Sequence, residues 1–73
     1  MTARDMLQLM NRTPFEPLEI HLNNGTKIHV EHPYQIATGP NAAALVVYPD
    51  DEDVARFVAY RNIAEIITKA PSE

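Results

Sequence analysis

The segment from residue 18 to residue 30, Leu-Glu-Ile-His-Leu-Asn-Asn-Gly-Thr-Lys-Ile-His-Val, constrains the fold of this chain more than any other. Apolar and polar residues alternate on both sides of Asn-Asn-Gly, which is typical of two antiparallel strands joined by a tight turn. A two-residue turn would put the two apolar rows on opposite faces, because a shift of one residue reverses every side chain. The segment therefore predicts a three-residue loop, with Gly25 in the left-handed position of a bulge.

This loop fixes which residues of the predicted hairpin face each other. On the apolar face Leu18 lies opposite Val30, Ile20 opposite Ile28 and Leu22 opposite Thr26. On the outer face Glu19 lies opposite His29 and His21 opposite Lys27. We expect a cross-strand pair between Glu19 and His29, of about 0.2–1 kcal/mol.

Length and composition restrict the classes of protein to which the chain can belong. Its 73 residues allow a single domain, 1–73, whose own core is marginal, so association with further copies would stabilise it. Because no cysteine is present, disulfides and thiolate metal sites are excluded. The sequence has no apolar run long enough for a membrane span and no signal-peptide pattern, which predicts a cytoplasmic protein with no membrane partner. The net charge of −4 argues against a general nucleic-acid binder.

The N-terminal segment predicts a helix over residues 2–12. Thr2 can cap this helix, and Asp5 three residues later approximates a capping box. Pro14 ends it, since the residue before a proline is displaced from helical geometry. An apolar stripe at helical spacing is formed by Ala3, Met6, Leu7 and Met10.

The remaining chain predicts five short strands, which together occupy residues 17–68. His32-Pro33 interrupts the second strand, because proline cannot donate a ladder hydrogen bond, and the extended path resumes over 34–38. Further strands are predicted at 43–48, 54–60 and 64–68, with a single helical turn at 61–63 and a tail at 69–73. The predicted fold is therefore mainly β: a small SH3-like or Sm-like barrel of about five antiparallel strands with an N-terminal α-helix. An open antiparallel sheet with the helix across one face is the alternative.

Two resemblances carry further expectations. Residues 13–40 resemble a group of small uncharacterised bacterial proteins with a Pro-Phe-x-Pro motif, an Asn/Asp-Gly turn and a later His-Pro, a group that implies no function. The chain also resembles, more distantly, the bacterial Sm-like RNA chaperone family, through Leu22-x-Asn24-Gly25-x-Lys27 and through Tyr60-Arg61-Asn62 before a closing strand. The second resemblance implies a ring in which Tyr60 lies at a subunit seam. Arg61 and Asn62 would line an RNA-contacting pore, to which Gln8 on the helix would add a further contact.

Candidate chemical sites each have a simpler structural explanation. His21, His29 and His32 do not supply the set of well-placed ligands that a transition metal usually requires, so no metal site is predicted. The acidic run 50–53 lacks the alternating ligands and the glycine of a calcium loop, and reads as a solvated hairpin tip. No nucleophile, base and orienting group can be assembled, and the two glycines form no phosphate loop.

These observations predict a protein that is not an enzyme and carries no cofactor. The first hypothesis for its function is a homo-oligomeric assembly or protein-interaction module, because the core is small and a small barrel offers free strand edges. The alternative is an Sm-like RNA-binding protein that forms a ring and uses Tyr60, Arg61, Asn62 and Gln8.

Overall fold

A computed structural model describes residues 1–50 and 52–68 of the chain. This part of the chain contains a helix, α1 (Ala3–Met10), two 3₁₀ turns, Pro33–Gln35 and Tyr60–Asn62, and six strands. The strands are β1 (Leu18–Leu22), β2 (Lys27–Val30), β3 (Ile36–Ala37), β4 (Ala44–Val47), β5 (Arg56–Ala59) and β6 (Ile63–Thr68). The predicted tail 69–73 and residue 51 of the acidic run lie outside the described residues.

The strands form two antiparallel sheets of three strands each. Sheet A has the order β2-β1-β6 and sheet B the order β3-β4-β5. The prediction of a mainly β chain with an N-terminal helix is therefore confirmed, while no strand pairing among the described residues closes the two sheets into a barrel. The bent second strand of the prediction corresponds to β2 and β3, which the 3₁₀ turn Pro33–Gln35 separates.

The β1–β2 hairpin has the predicted register. Leu18 pairs with Val30 and Ile20 with Ile28. The Leu22 N–H donates to the Thr26 carbonyl at 2.8 Å, which closes a three-residue loop. Gly25 has a φ of 90°, the left-handed conformation that the bulge requires and that glycine adopts without a steric cost.

Helix α1 begins with the predicted capping box and is shorter than predicted. The Asp5 N–H donates to Thr2 Oγ1 at 3.3 Å, and the Thr2 N–H donates to the Asp5 carboxylate at 3.0 Å. This backbone hydrogen bond lowers the pKa of Asp5. Ala3 and Met6 are buried, and Leu9, which lies outside the predicted stripe, packs against the core beside Met10.

The hydrophobic core lies between the inner faces of the two sheets. In each strand the buried side chains alternate with outward ones, so that both sheets contribute one face. Helix α1 and Tyr60 complete the core, and Phe15 packs at its edge. The buried set consists of Ala3, Met6, Leu18, Ile20, Ile28, Val30, Ile36, Leu45, Val47, Val58, Tyr60 and Ile63.

The last two strands differ from the prediction at their boundaries. The 3₁₀ turn begins at Tyr60 rather than Arg61, and β6 begins at Ile63 rather than Ala64. The reason is that β1 continues to pair beyond a bulge: Leu22 lies opposite Ile63, and the Asn23 N–H donates to the Asn62 carbonyl at 2.8 Å. Ala64 is the extra residue of this bulge, since His21 lies opposite Glu65.

Candidate functional site

The structure separates Tyr60 from Arg61 and Asn62 in exposure, although the three are consecutive. Tyr60 is 5% exposed, and its hydroxyl shares a hydrogen bond of 2.5 Å with Thr38 Oγ1. Burial raises the pKa of Tyr60, and the hydrogen bond from Thr38 opposes that increase. Arg61 and Asn62 are exposed, and their carbonyl oxygens accept hydrogen bonds from Asn23.

Gln8 is exposed on α1, as the proposed role in RNA contact requires. Within the described residues no hydrogen bond joins Gln8 to the turn Tyr60–Asn62. Among the described residues, no hydrogen bond therefore links Gln8 with Tyr60, Arg61 and Asn62 into one constellation. The RNA site stays a prediction that depends on several copies of the chain.

The outer face of sheet A is charged. His21 lies between two carboxylates, with Nε2 at 2.8 Å from Glu19 Oε1 and Nδ1 at 3.5 Å from Glu65 Oε1. The hydrogen bond with His21 lowers the pKa of Glu19, and the charges of His21, Lys27 and His29 act in the same direction. Five of the six outward residues of this sheet carry ionisable side chains: Glu19, His21, Lys27, His29 and Glu65, with Ile67 as the exception.

The predicted cross-strand pair of Glu19 with His29 is confirmed in the strand register, but each side chain makes its close contact with a different partner. The two residues do lie opposite each other, yet His29 Nε2 contacts Glu31 Oε2 at 2.8 Å, and Glu19 contacts His21. Residues two positions apart on a strand share a face, so each imidazole finds a carboxylate on the neighbouring position of its own chain segment.

The acidic run is held by hydrogen bonds at two of its members. The Arg56 guanidinium donates two hydrogen bonds to Glu52, at 2.9 and 2.7 Å, and this contact lowers the pKa of Glu52. Asp50 Oδ1 accepts a hydrogen bond of 3.0 Å from Gln35 Nε2. Across residues 1–50 and 52–68 no group of three or more His, Asp or Glu side chains is arranged to hold a metal ion.

Gln35 is a buried polar residue that sequence reasoning missed. Its carbonyl oxygen accepts hydrogen bonds from the backbone N–H groups of Glu31 and His32, at 2.9 and 2.8 Å. Its amide nitrogen donates to the Tyr48 carbonyl at 2.9 Å as well as to Asp50. At 3% exposure, Gln35 ties the kink between the two sheets to the loop after β4.

The outer face of sheet B is apolar throughout its described strands. Val46 on the central strand β4 lies opposite Ala37 on one side and Phe57 on the other. Phe57 is 80% exposed, the most exposed large apolar side chain of the described residues. We call this surface the apolar face: it consists of Ala37, Ala44, Val46, Phe57 and Ala59.

A sequence signal for the apolar face did exist. An antiparallel sheet with one face in water normally alternates apolar and polar residues. Neither β4 (Ala-Leu-Val-Val) nor the segment Phe-Val-Ala of β5 shows that alternation. A strand that is apolar on both faces is expected to be covered on both faces, and here residues 1–50 and 52–68 cover only one.

The edge strand of this sheet, β5, presents unpaired backbone groups. The Tyr60 N–H donates to the Ala43 carbonyl at 3.0 Å, which fixes the phase of the β4–β5 ladder. Because bonded pairs alternate along antiparallel strands, Val58 and Arg56 direct their backbone groups to β4, and Phe57 and Ala59 direct theirs outward. Beside this edge lies an open groove of about 280 Å³, lined by Leu22, Asn23, Asn24, Phe57, Val58, Ala59 and Asn62.

A second groove, of about 350 Å³, lies between β2 and the loop that follows β4. Its walls are mainly charged, and they include the Glu52–Arg56 ion pair and the Asp50 carboxylate that Gln35 holds. Several charged side chains of this groove are thus already paired with groups of the same chain. Among the described residues, the apolar face leaves apolar side chains exposed, and the free edge of β5 leaves backbone groups without a strand partner.

Comparison with known proteins found no match: no protein-family model, no curated protein and no solved structure matches the chain. In the part that the structure describes, no helix has the length and apolar character needed to cross a membrane.

Proposed function

We propose that this chain is a non-enzymatic assembly module that associates with further copies of itself by covering the apolar face. The observation that carries the proposal is the contrast between the two sheets. The outward residues of sheet A are almost all ionisable, whereas those of sheet B are all apolar and include Phe57 at 80% exposure. Contiguous exposed apolar surface of this kind marks interaction sites in soluble proteins.

The free edge of β5 supports the same function. Proteins usually protect an exposed strand edge with charged side chains, proline or a bulge. The outward residues of β5, Phe57 and Ala59, provide none of these devices. Arg56, which is held by Glu52 at the start of β5, is the one charged residue of the strand, and the rest of this edge, from Phe57 to Ala59, is uncharged and adjoins the apolar face.

A second copy of the chain suits this surface because the surface has no charge. Two copies that meet through the same patch bring each residue near its equivalent, so a charged patch would repel itself. The apolar face contains no ionisable side chain. A chain of 73 residues also gains most from such burial, because its own core is small.

We propose further that the two sheets form an SH3-like or Sm-like barrel that stays open between β5 and β6. The support is the connection through Pro33–Gln35, which makes β2 and β3 two halves of one bent strand. The strand succession is then β6-β1-β2 followed by β3-β4-β5, with the 3₁₀ turn Tyr60–Asn62 leading from one end of the succession to the other.

Light scattering across a range of concentrations tests the assembly. We expect a mass above that of the monomer that increases with concentration, and a shift towards the monomer in Phe57→Ser. The matched control is Tyr34→Ser, which removes an aromatic side chain of similar exposure, 78%, from a position outside the apolar face. A wild-type protein that stays monomeric at every concentration would refute the proposal.

The alternative function is an Sm-like RNA-binding ring. The observation that favours it is the turn Tyr60–Asn62, whose backbone Asn23 anchors while the Arg61 and Asn62 side chains point into solvent. Binding of a fluorescent single-stranded oligonucleotide at low salt tests it: Arg61→Ala should weaken the affinity, whereas Lys27→Ala, with the same change of charge, should not. Absence of binding at low salt would dispose of this alternative.

A further inference from the structure

We propose that two copies pair through β5 itself, antiparallel across a twofold axis, with Phe57 directly opposite Phe57 of the second copy. The inference rests on the proposed function, since it names the contact through which the apolar face assembles. It joins the two copies of sheet B into one continuous antiparallel sheet.

The hydrogen-bonding phase of β5 fits this pairing. Phe57 and Ala59 direct their N–H and C=O groups away from β4, and continuing the alternation by one step would direct those of Ala55 the same way in the paired sheet. A twofold axis at Phe57 makes it a bonded pair with its equivalent and sets Ala55 opposite Ala59 of the second copy. Every outward N–H then meets a carbonyl, and along the two β5 strands only alanines flank the central Phe57 pair on this face.

The apolar face favours β5 over β6 as the pairing partner. In the twofold arrangement the row Ala37–Val46–Phe57 continues into the same row of the second copy, and the two Phe57 rings become cross-strand neighbours. A head-to-tail contact of β5 with β6 would instead join the apolar face to the outer face of sheet A, where Ile67 is the only apolar outward residue of the described strands. The bulge at Ala64 also interrupts β6, whereas the β4–β5 ladder is regular.

The surroundings of β5 also fit a second β5. At one end the open groove beside Ala59 leaves room for an added chain segment. At the other end Val54 is 54% exposed. When Phe57 lies opposite Phe57, Ala55 of the second copy lies opposite Ala59 and Val54 of the second copy lies opposite Tyr60. The exposed Val54 of each copy is then placed at the groove of the other copy.

Disulfide trapping with Ala55→Cys and Ala59→Cys tests the register. The chain has no cysteine of its own, so each variant carries one thiol. Paired residues at a bonded position have Cα atoms about 5.5 Å apart, within the range that a disulfide bridges. Neither variant alone places two thiols opposite each other, and both substitutions are small, which circular dichroism and thermal melting would verify.

An equimolar mixture of the two variants should give a covalent dimer under mild oxidation by glutathione, and each variant alone should not. Random exchange makes about half of the dimers mixed, so up to about half of the chains should be trapped. The double variant, with both cysteines in one chain, should be trapped almost completely, because every dimer then has a cysteine opposite a cysteine. The two cysteines of one chain cannot form a disulfide with each other, since residues four positions apart on one strand are about 13 Å apart.

The outcomes distinguish this inference from the function on which it rests. A wild-type monomer by light scattering overturns the proposed function. An oligomer by light scattering without a covalent dimer in the mixture, or with equal trapping of each variant alone, overturns the β5 pairing and leaves the assembly standing.

Discussion

At the scale of single residues, Gln35 holds more of the structure together than its position in the sequence suggests. Both polar atoms of its side-chain amide make two hydrogen bonds each, with partners in two segments of the chain. Two of these partners are backbone N–H groups that the kink at Pro33 leaves without a ladder partner. A buried group that has lost its hydrogen bond costs more than the bond itself contributes.

Replacing Gln35 by alanine should lower the free energy of unfolding by about 2–4 kcal/mol, because it leaves buried donors and acceptors without partners. The matched control is Gln8→Ala on the exposed face of α1, which should change it by less than about 0.5 kcal/mol. Urea denaturation followed by circular dichroism measures both. Equal, small effects in the two variants would contradict the role given to Gln35.

At the scale of elements, the β1–β2 turn and the turn before β4 each contain one of the two glycines of the chain. Gly25 has a φ of 90° and Gly39 does not have a positive φ. A Cβ added at either position meets no atom within 4 Å. The two glycines therefore differ in backbone conformation and not in available space.

This difference predicts opposite responses to the same substitution. Gly25→Ala should destabilise the protein by about 1–2 kcal/mol, because an L-residue is strained in the left-handed region. Gly39→Ala should be neutral or stabilising by up to about 1 kcal/mol, because it restricts the unfolded chain. Thermal melting of the two variants side by side measures the contrast, and destabilisation of the same size in both would contradict it.

At the scale of the whole molecule, the protein has two outer surfaces of opposite character. The sheet A surface carries imidazole–carboxylate contacts, and further carboxylates are held by Thr2 at the helix and by Arg56 beside β5. The sheet B surface is apolar. The carboxylates with lowered pKa values are thus spread over the helix, sheet A and the start of β5, whereas the apolar face carries none of them.

The acid dependence follows from three carboxyl groups. The pKa values of Asp5, Glu19 and Glu52 are lowered from ordinary values of 3.8, 4.5 and 4.5 by hydrogen bonds to Thr2, His21 and Arg56. Since the folded state binds these protons less tightly than the unfolded state, the stabilisation is present above the ordinary values and is lost as the pH falls through the lowered ones.

The urea midpoint should accordingly fall as the pH is lowered below about 4.5, and Glu19→Gln or Glu52→Gln should each make that fall shallower. A midpoint that stays constant down to pH 3, or variants as acid-sensitive as the wild type, would show that these contacts do not stabilise the fold.

The sequence predicted the structure best at positions where a residue type has one strongly preferred structural role. The hairpin register, the left-handed Gly25, the Thr2–Asp5 capping box and the break at Pro33 all followed from local sterics and hydrogen bonding, and the structure confirms them. Each of these features depends on residues that are close in sequence, so it does not depend on how the distant parts of the chain pack together.

The contacts that the sequence did not predict depend on partners far apart or on a choice between partners. Gln35 is buried because Tyr48 and Asp50 are brought to it, thirteen and fifteen residues further along the chain. His29 contacts Glu31 rather than Glu19, which lies opposite it. Rules for strand pairing do not predict which of the two carboxylates an imidazole will contact. The apolar face needed the register of three strands before its separate residues could be recognised as one surface.

The position of β1 in sheet A has a consequence for the synthesis of the protein. β1 is the central strand, and one of its neighbours is β6, formed by the last described residues, so the sheet joins early and late parts of the chain. While the ribosome is still translating β4 and β5, β1 and β2 are an isolated hairpin, which is marginally stable in water. Sheet A therefore closes only after Thr68 has left the exit tunnel. During that interval the nascent chain exposes strands that are apolar on both faces, and such transiently exposed surface is prone to aggregation.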